Sequence, residues 1–159
     1  MELDRTDRMI LQALQENARM PNVELAERVG LSPSACSRRL QVLEKAGVIE
    51  SYQAVISNKA LGQAITALVH ITLKGQSEEH LRRFESAVRT CPYIVACFLM
   101  SGESDYLIRV NARDMEHYEQ IYKSWLSTLP GVSRIQSSFA MRMVVNRANI
   151  DVAMLDNHQ

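Results

Sequence analysis

Residues 23–49 read VELAERVGLSPSACSRRLQVLEKAGVI, and they predict two helices joined by a short turn. Gly30 stands where the end of a helix favours a left-handed backbone. Ser32 can cap the following helix, and Pro33 falls in its first turn, where a missing backbone N–H costs nothing. Gly47 ends that helix. This spacing is typical of a helix-turn-helix, whose second helix can lie in the major groove of DNA.

The second of these helices has two chemically different faces. At about 100° per residue, Cys36, Leu40 and Leu43 share an apolar face that is expected to be buried. The opposite and flanking positions carry hydrogen-bonding and cationic side chains and no acid. These positions are Ser34, Ser37, Arg38, Arg39, Gln41 and Lys45.

These side chains are suited to DNA. Arginine can contact guanine in a bidentate manner, glutamine can contact adenine, and serine can bind a base or a phosphate. Ser32, Ser34 and the first backbone amides can hold a phosphate at the positive end of the helix. A solvated helix face can have the same composition, so the prediction of DNA contact depends on the complete helix-turn-helix.

Helices are also predicted before this motif. The first ends near Asn17 and Ala18, and Asn22 is expected to cap a short second helix. Their apolar positions are Leu3, Ile10, Leu11 and Leu14 in the first helix, and Val23, Ala26 and Val29 in the second.

The periodicity changes after residue 48. Residues 49–57, IESYQAVIS, alternate between apolar and polar side chains and include β-branched residues, which predicts a connecting strand. Residues 65–73 alternate in the same way and predict a second strand. Further strands are predicted over 93–100, 105–112 and 132–145, and helices over 78–90 and 115–129. The order β-α-β-β-α-β is that of a ferredoxin-like domain, an antiparallel sheet with both helices on one face.

The predicted fold class is therefore α+β. The predicted segments are a helix-turn-helix, winged-helix-like domain over residues 1–50, a linker strand over 51–61, a ferredoxin-like βαββαβ domain over 62–145 and a C-terminal tail over 146–159.

Composition narrows the class of protein. The 159 residues are 47% hydrophobic and 23% charged, which is ordinary for a globular protein. No apolar run approaches the roughly 18 residues of a membrane helix, and the acidic N-terminus is unlike a signal peptide. The three cysteines are irregularly spaced, which argues against a disulfide framework. These features predict a cytoplasmic protein without a membrane partner.

Charge gives no general support for nucleic-acid binding. The formal net charge is zero, and residues 1–50 contain seven Lys/Arg and eight Asp/Glu. A DNA-binding domain often has a basic excess. The prediction of a DNA-binding face must therefore rest on where the charges lie.

The chain resembles the leucine-responsive/asparagine-type (Lrp/AsnC) transcriptional regulators from about Leu3 to Val145. The resemblance is carried by residues 3–49, by SGESDYLIRV at 101–110, by MEHYEQIYKSWLSTLPGV at 115–132 and by SSFAM at 137–141. It implies a DNA-binding domain, an effector-binding domain, and dimers that assemble further, often as four dimers around a ring. Ala35 departs from the pattern, since many members have a second proline there.

A sensor of a free amino acid needs donors for a carboxylate and an acceptor for an ammonium. Residues 102–105 offer backbone amides at a glycine turn and the carboxylate of Asp105. The resemblance implies that this hairpin and the last strand form the effector site between dimers. The candidate residues are Leu99, Met100, Gly102, Glu103, Ser104, Asp105 and Tyr106 from one subunit, and Ser137, Ser138 and Phe139 from a neighbour. A plain hairpin turn and solvent-facing strand residues are the alternatives.

The predicted function is that of a sequence-specific regulator of transcription that binds double-stranded DNA and responds to a small effector, with an amino acid as the expected class. A homodimer is expected, because one recognition helix covers only a few base pairs. The alternative is an architectural DNA-binding protein of low specificity. The sequence shows no catalytic triad, phosphate-binding glycine loop or metal spacing, so neither an enzyme nor a cofactor is predicted.

Overall fold

The structure, a computed structural model, describes residues 2–147 and 152, which divide into two units. The first contains the described residues up to Val55 and from Val145 onward, and the second spans Ile56–Val144. Among the described residues, none of the helices has both the length and the apolar composition needed to cross a membrane.

Three helices form the first unit: α1 (Arg5–Glu16), α2 (Asn22–Val29) and α3 (Pro33–Lys45). The predicted turn signals are confirmed, because Gly30 has a φ of 70° and the Ser32 hydroxyl accepts a hydrogen bond from the Ala35 N–H at 3.3 Å. The buried core consists of Ile10, Ala13, Leu25, Ala26, Val29, Cys36 and Leu43.

Two predictions about α2 were wrong. Asn22 is its first residue rather than its cap, and the Asn22 side chain donates to the Pro33 carbonyl at 2.8 Å, which joins the starts of α2 and α3. Val23 is 57% exposed, whereas Leu25 is 1% exposed. Leu25, Ala26 and Val29 lie on one face of the helix. Val23 is two residues before Leu25, a rotation of about 200° around the helix axis, so it lies on the opposite face.

The second unit is ferredoxin-like, as the sequence predicts. Its elements are β1 (Ile65–Leu73), α4 (Glu78–Thr90), β2 (Ile94–Leu99), β3 (Tyr106–Ala112), α5 (Met115–Ser124), a 3-10 turn (Leu126–Thr128) and β4 (Val132–Phe139). The sheet order is β2-β3-β1-β4, and every pairing is antiparallel.

Both helices pack on one face of this sheet. Phe84 of α4 and Ile121 of α5 lie in the same buried cluster as Val69 of β1 and Ile108 of β3. Because side chains alternate along a strand, the intervening residues of each strand point to the other face. In the described part of the chain, α4 and α5 leave that second face open.

The linker strand and the last strand differ from the sequence prediction. Residues 51–57, expected to be a linker strand, are exposed and pair with no strand of the described sheet. A β-strand needs a neighbouring strand for its backbone hydrogen bonds, and the ladders hold only β1–β4. The predicted strand over 132–145 ends at Phe139, because its partner β1 begins at Ile65. Most of the predicted tail, 146–159, lies outside the described residues.

Helix α5 is shorter than the predicted 115–129. It ends at Ser124, and a 3-10 turn follows. The Ser127 hydroxyl donates to the Lys123 carbonyl at 2.9 Å, and the Thr128 hydroxyl donates to the Trp125 carbonyl at 2.9 Å. These side chains satisfy carbonyls at the helix end, where a tighter turn is common.

The corrected apolar face of α2 is testable by a matched pair of substitutions. We expect Leu25→Ala to lower the free energy of unfolding of the helical unit by about 2–5 kcal/mol, because it empties a buried site. Val23→Ala, at an exposed position, should change it by less than about 0.5 kcal/mol. Urea denaturation followed by circular dichroism measures both, and equal losses for the two variants would refute the assignment.

Candidate nucleic-acid interface and small-molecule pocket

The outward face of α3 exposes the side chains that the sequence singles out. Ser34, Arg38, Gln41 and Lys45 are exposed, while Ser37 is partly buried. Within the described residues, Arg38 has no ion-pair partner. This face therefore presents hydrogen-bond donors and positive charge to solvent.

The apolar face of α3 packs into the core of the helical unit. Cys36 and Leu43 are fully buried. Burial raises the pKa of the Cys36 thiol, which disfavours the reactive thiolate. This agrees with the prediction that Cys36 is a core residue.

The N-terminus of α3 combines two hydroxyl groups with free backbone amides. The Ser32 hydroxyl caps the helix and lies 3.2 Å from the Ser34 hydroxyl. The first amides of a helix have no intrahelical acceptor and carry a partial positive charge. Such a site can accept a phosphate of the DNA backbone.

Arg39 occupies a different environment from the one expected of a DNA contact. Its guanidinium donates to Asp4 at 2.6 Å and to Asp7 at 2.7 Å. The hydrogen bonds with Asp7 and Asp4 raise the pKa of Arg39. The Asp7 N–H and the Arg39 guanidinium lower the pKa of Asp4. Arg39 thus connects α3 to the start of α1.

The sequence prediction missed the role of Asp4 and Asp7. The two aspartates form a capping box: the Asp7 N–H donates to the Asp4 carboxylate at 2.8 Å, and the Asp4 N–H donates to the Asp7 carboxylate at 3.2 Å. Two acids three residues apart at the start of a helix are the local signal for such a box. Nothing local indicates that Arg39, more than thirty residues later, completes the cluster.

A pocket of about 380 Å³ lies on the open face of the sheet in the second unit. Its floor consists of His70 and Thr72 from β1 with Arg134 and Gln136 from β4. Its rim is the hairpin segment 100–104 between β2 and β3. The volume falls within the range of small-molecule sites, roughly 300–1,000 Å³.

Hydrogen bonds organise this pocket. His70 Nδ1 lies 3.1 Å from the Ser104 hydroxyl, which joins the floor to the rim. The Arg134 guanidinium donates to the Gln136 side-chain carbonyl at 3.3 Å. Gly102, in the rim, has a φ of 152°, a backbone conformation that favours glycine.

Four of the predicted effector residues line this pocket: Met100, Gly102, Glu103 and Ser104. Asp105 does not, because its buried carboxylate accepts from the Leu73 N–H and the Gln76 amide, both at 2.7 Å. Tyr106 is 1% exposed on the helix-covered face, and its hydroxyl donates to Glu85 at 2.8 Å. Asp105 and Tyr106 therefore anchor the hairpin without lining the pocket.

The predicted residues at the strand ends are also outside the pocket. The Ser137 hydroxyl lies 2.6 Å from the Tyr118 hydroxyl, and the Phe139 ring meets Tyr118 edge-on at 5.0 Å. Both therefore pack against α5. Ser138 is on the open face opposite Leu68, and Leu99 is on the edge strand β2. The sequence prediction missed the four residues of the pocket floor. Strand alternation is the one signal that could have found them, because it places them on the sheet face opposite the buried side chains.

Comparison with known protein families decides the class of this chain. Residues 3–50 match the family described as winged helix-turn-helix DNA-binding. Residues 66–150 match the family described as Lrp/AsnC ligand binding domain. The chain belongs to the Lrp/AsnC family of transcriptional regulators.

Relatives of this Lrp/AsnC chain match it over most of its length. The leucine-responsive regulatory protein of Rhizobium meliloti is 34% identical and is aligned over 96% of this chain and 97% of its own. An HTH-type transcriptional regulator of Sinorhizobium fredii is 50% identical over 74% of this chain and 92% of its own. The structure of a Neisseria meningitidis transcriptional regulator in complex with L-Met has a TM-score of 0.90 and 36% identity, covering 97% and 99%.

These comparisons confirm the family and the fold that the sequence predicts. The chain is a DNA-binding transcriptional regulator with a ligand-binding domain, and it is not an enzyme.

The ion pairs of Arg39 predict a stability difference between two neighbouring arginines. We expect Arg39→Met to lower the free energy of unfolding by about 1–2 kcal/mol, because Asp7 is left largely buried without its partner. Arg38→Met is the matched control and should be nearly neutral. Chemical denaturation measures both variants.

A double-mutant cycle tests the cause of that loss. Asp7→Asn should cost less in the Arg39→Met background than in the wild type, because the charge it removes is then unpaired. Additive effects of the two substitutions would show that the pair is not coupled.

Proposed function

We propose that this regulator binds a specific DNA site through the outward face of α3, and that a small effector bound to the second unit, an amino acid by class, modulates DNA binding or assembly. The observation that carries the proposal is the exposed cationic and hydrogen-bonding face of α3 in a chain without net charge. The residues that we assign to DNA contact are Ser32, Ser34, Ser37, Arg38, Gln41 and Lys45. Because its proposed target is chromosomal DNA, we also propose that the protein acts in the cytoplasm.

Arg39 has a separate part in this proposal. Its guanidinium is engaged by two carboxylates of α1. We assign it to holding α3 in position, so that Arg38 rather than Arg39 contacts DNA. The effect of Arg39 on DNA binding is then indirect.

The effector proposal rests on the pocket beneath the hairpin. Met100, Gly102, Glu103 and Ser104 surround it, and the structure of a relative was determined with L-Met. A neighbouring subunit is expected to contribute from its last strand. Of Ser137, Ser138 and Phe139, we favour Ser138, which alone lies exposed on the open face of the sheet.

We also propose that the open face of the sheet forms a homodimer. Leu68 and Phe98 expose 37% and 56% of their surface there, and Phe98 is paired with Leu107. Arg109, on the same face, has a buried Nε without a partner among the described residues. A two-fold dimer also supplies the two recognition helices that specific binding requires. Assembly of four dimers is the arrangement that the family resemblance implies.

The DNA-binding face is tested with an operator selected from random duplexes. We expect Arg38→Ala to weaken operator binding by about 1–3 kcal/mol, roughly 5- to 150-fold, because it removes a base or phosphate contact. Arg82→Ala, which removes an exposed arginine of α4, is the control and should leave affinity unchanged. Fluorescence anisotropy at several salt concentrations measures both.

The same titrations separate the regulator from an architectural protein. An operator-to-random affinity ratio near one at every salt concentration would favour the architectural alternative. Unchanged affinity and salt dependence in Arg38→Ala would show that the assigned face of α3 is wrong.

The dimer surface is tested by placing a charge on it. We expect Phe98→Glu to shift the protein toward monomers, because a buried unpaired charge opposes association. Val23→Glu, at a similarly exposed residue of α2, is the control. Analytical ultracentrifugation measures the mass, and an unchanged assembly of Phe98→Glu would exclude this face from the interface.

A further inference from the structure

The outward side of α3 carries an exposed apolar side chain, Val42, that the set of proposed DNA contacts leaves out. Val42 is 49% exposed, whereas Leu43, the next residue, is fully buried. Among the described residues, Val42 belongs neither to the buried cluster of the helical unit nor to the partly buried residues that pack against it. Valine is also a weaker helix former than alanine or lysine. The stability of the helical unit therefore does not account for a valine at this position.

Val42 lies within the cationic face of α3. At about 100° per residue, it is about 40° around the helix axis from Arg38 and about 60° from Lys45. Both cations are exposed, and side chains three or four residues apart are neighbours on a helix surface. The single acid of α3, Glu44, is about 160° from Val42 and accepts a hydrogen bond from the Tyr52 hydroxyl at 2.9 Å. The isopropyl group of Val42 is thus flanked by positive charge, with no carboxylate of α3 beside it.

An apolar group between two cations matches one chemical feature of the major groove. Arg38 and Lys45 are complementary to DNA phosphates and to guanine, which directs this face toward the duplex. Among the base edges in that groove, thymine presents a methyl group, whereas the other groups are hydrogen-bond donors and acceptors. Valine packed on a donor or acceptor would displace water without replacing its hydrogen bonds. Valine packed on the methyl group would bury apolar surface on both partners, which is favourable.

We propose that Val42 contacts the C5-methyl group of a thymine in the operator and is a specificity-determining residue of α3. Four residues of a helix rise by about 6 Å, and base pairs are about 3.4 Å apart, so this thymine lies within about two or three base pairs of the Arg38 contact. The inference rests on the proposed DNA-binding function. It goes further, because it assigns a base to a residue outside the contacts proposed above.

Deoxyuridine tests the contact, because it differs from thymidine only in lacking the methyl group. Each thymine in one half of an operator selected from random duplexes is replaced in turn, and fluorescence anisotropy measures the affinity of the full-length protein. We expect one replacement to weaken wild-type binding by about 3- to 10-fold, the effect of losing one buried methyl group. Equal wild-type affinity for the operator and for random duplexes would instead refute the proposed specific binding, and the thymine contact with it.

The Val42→Ala variant completes a double-mutant cycle with deoxyuridine. It should bind the thymine operator about 3- to 10-fold more weakly than wild type and should no longer distinguish thymine from deoxyuridine at the sensitive position. The dependence of its affinity on salt should match that of wild type, because valine neutralises no phosphate. Val23→Ala, which truncates an exposed valine of α2, is the matched control and should retain both the affinity and the discrimination.

Two results would overturn the assignment of Val42 while leaving DNA binding through Arg38 intact. One is a wild-type protein that distinguishes the operator from random duplexes but binds every deoxyuridine operator as tightly as the thymine operator. The other is a deoxyuridine effect of the same size in Val42→Ala, because the methyl group would then act through another residue or through the shape of the DNA. Thermal unfolding without DNA checks that Val42→Ala is folded, as its exposed position predicts.

Discussion

The burial of one face of the sheet under α4 and α5 is the constraint on which the second unit depends. Val69 and Ile71 of β1 must point toward these helices, and strand alternation then turns His70 and Thr72 to the opposite face. The pairing of β1 with β4 sets Gln136 and Arg134 beside them. A single requirement, the covering of apolar surface, therefore creates both the core and the polar floor of the pocket. A one-residue slip in register would exchange the two faces.

The hairpin above the floor is held by side chains that do not enter the pocket. Asp105 accepts two hydrogen bonds at the end of β1 and in the following loop, and Tyr106 is anchored in the core beside Phe84. An acid next to a glycine turn suggests a ligand contact when it is seen in isolation. Here the carboxylate accepts from a backbone N–H and a side-chain amide, so Asp105 holds the hairpin in place and does not line the pocket.

The helical unit shows how a neutral chain can present a cationic surface. Arg39 is neutralised internally by Asp4 and Asp7, whereas Arg38 faces solvent one residue earlier. Consecutive residues of a helix are separated by about 100°, so the two arginines have different neighbours. The total charge of residues 1–50 conceals this difference, because one arginine is engaged inside the helical unit and the other is exposed to solvent.

The sequence by itself determined the order of the elements, the turn at Gly30, the cap at Ser32 and the two faces of α3, because each depends on residues within one or two helical turns of each other. It also indicated the hairpin rim at Gly102–Ser104. Only the tertiary structure decided that Arg39 joins Asp4 and Asp7, that Asp105 points inward, and that His70, Thr72, Arg134 and Gln136 form one floor. These contacts join residues that are tens of positions apart, and their partners are set by the packing of the helices and the register of the sheet, which no local pattern specifies.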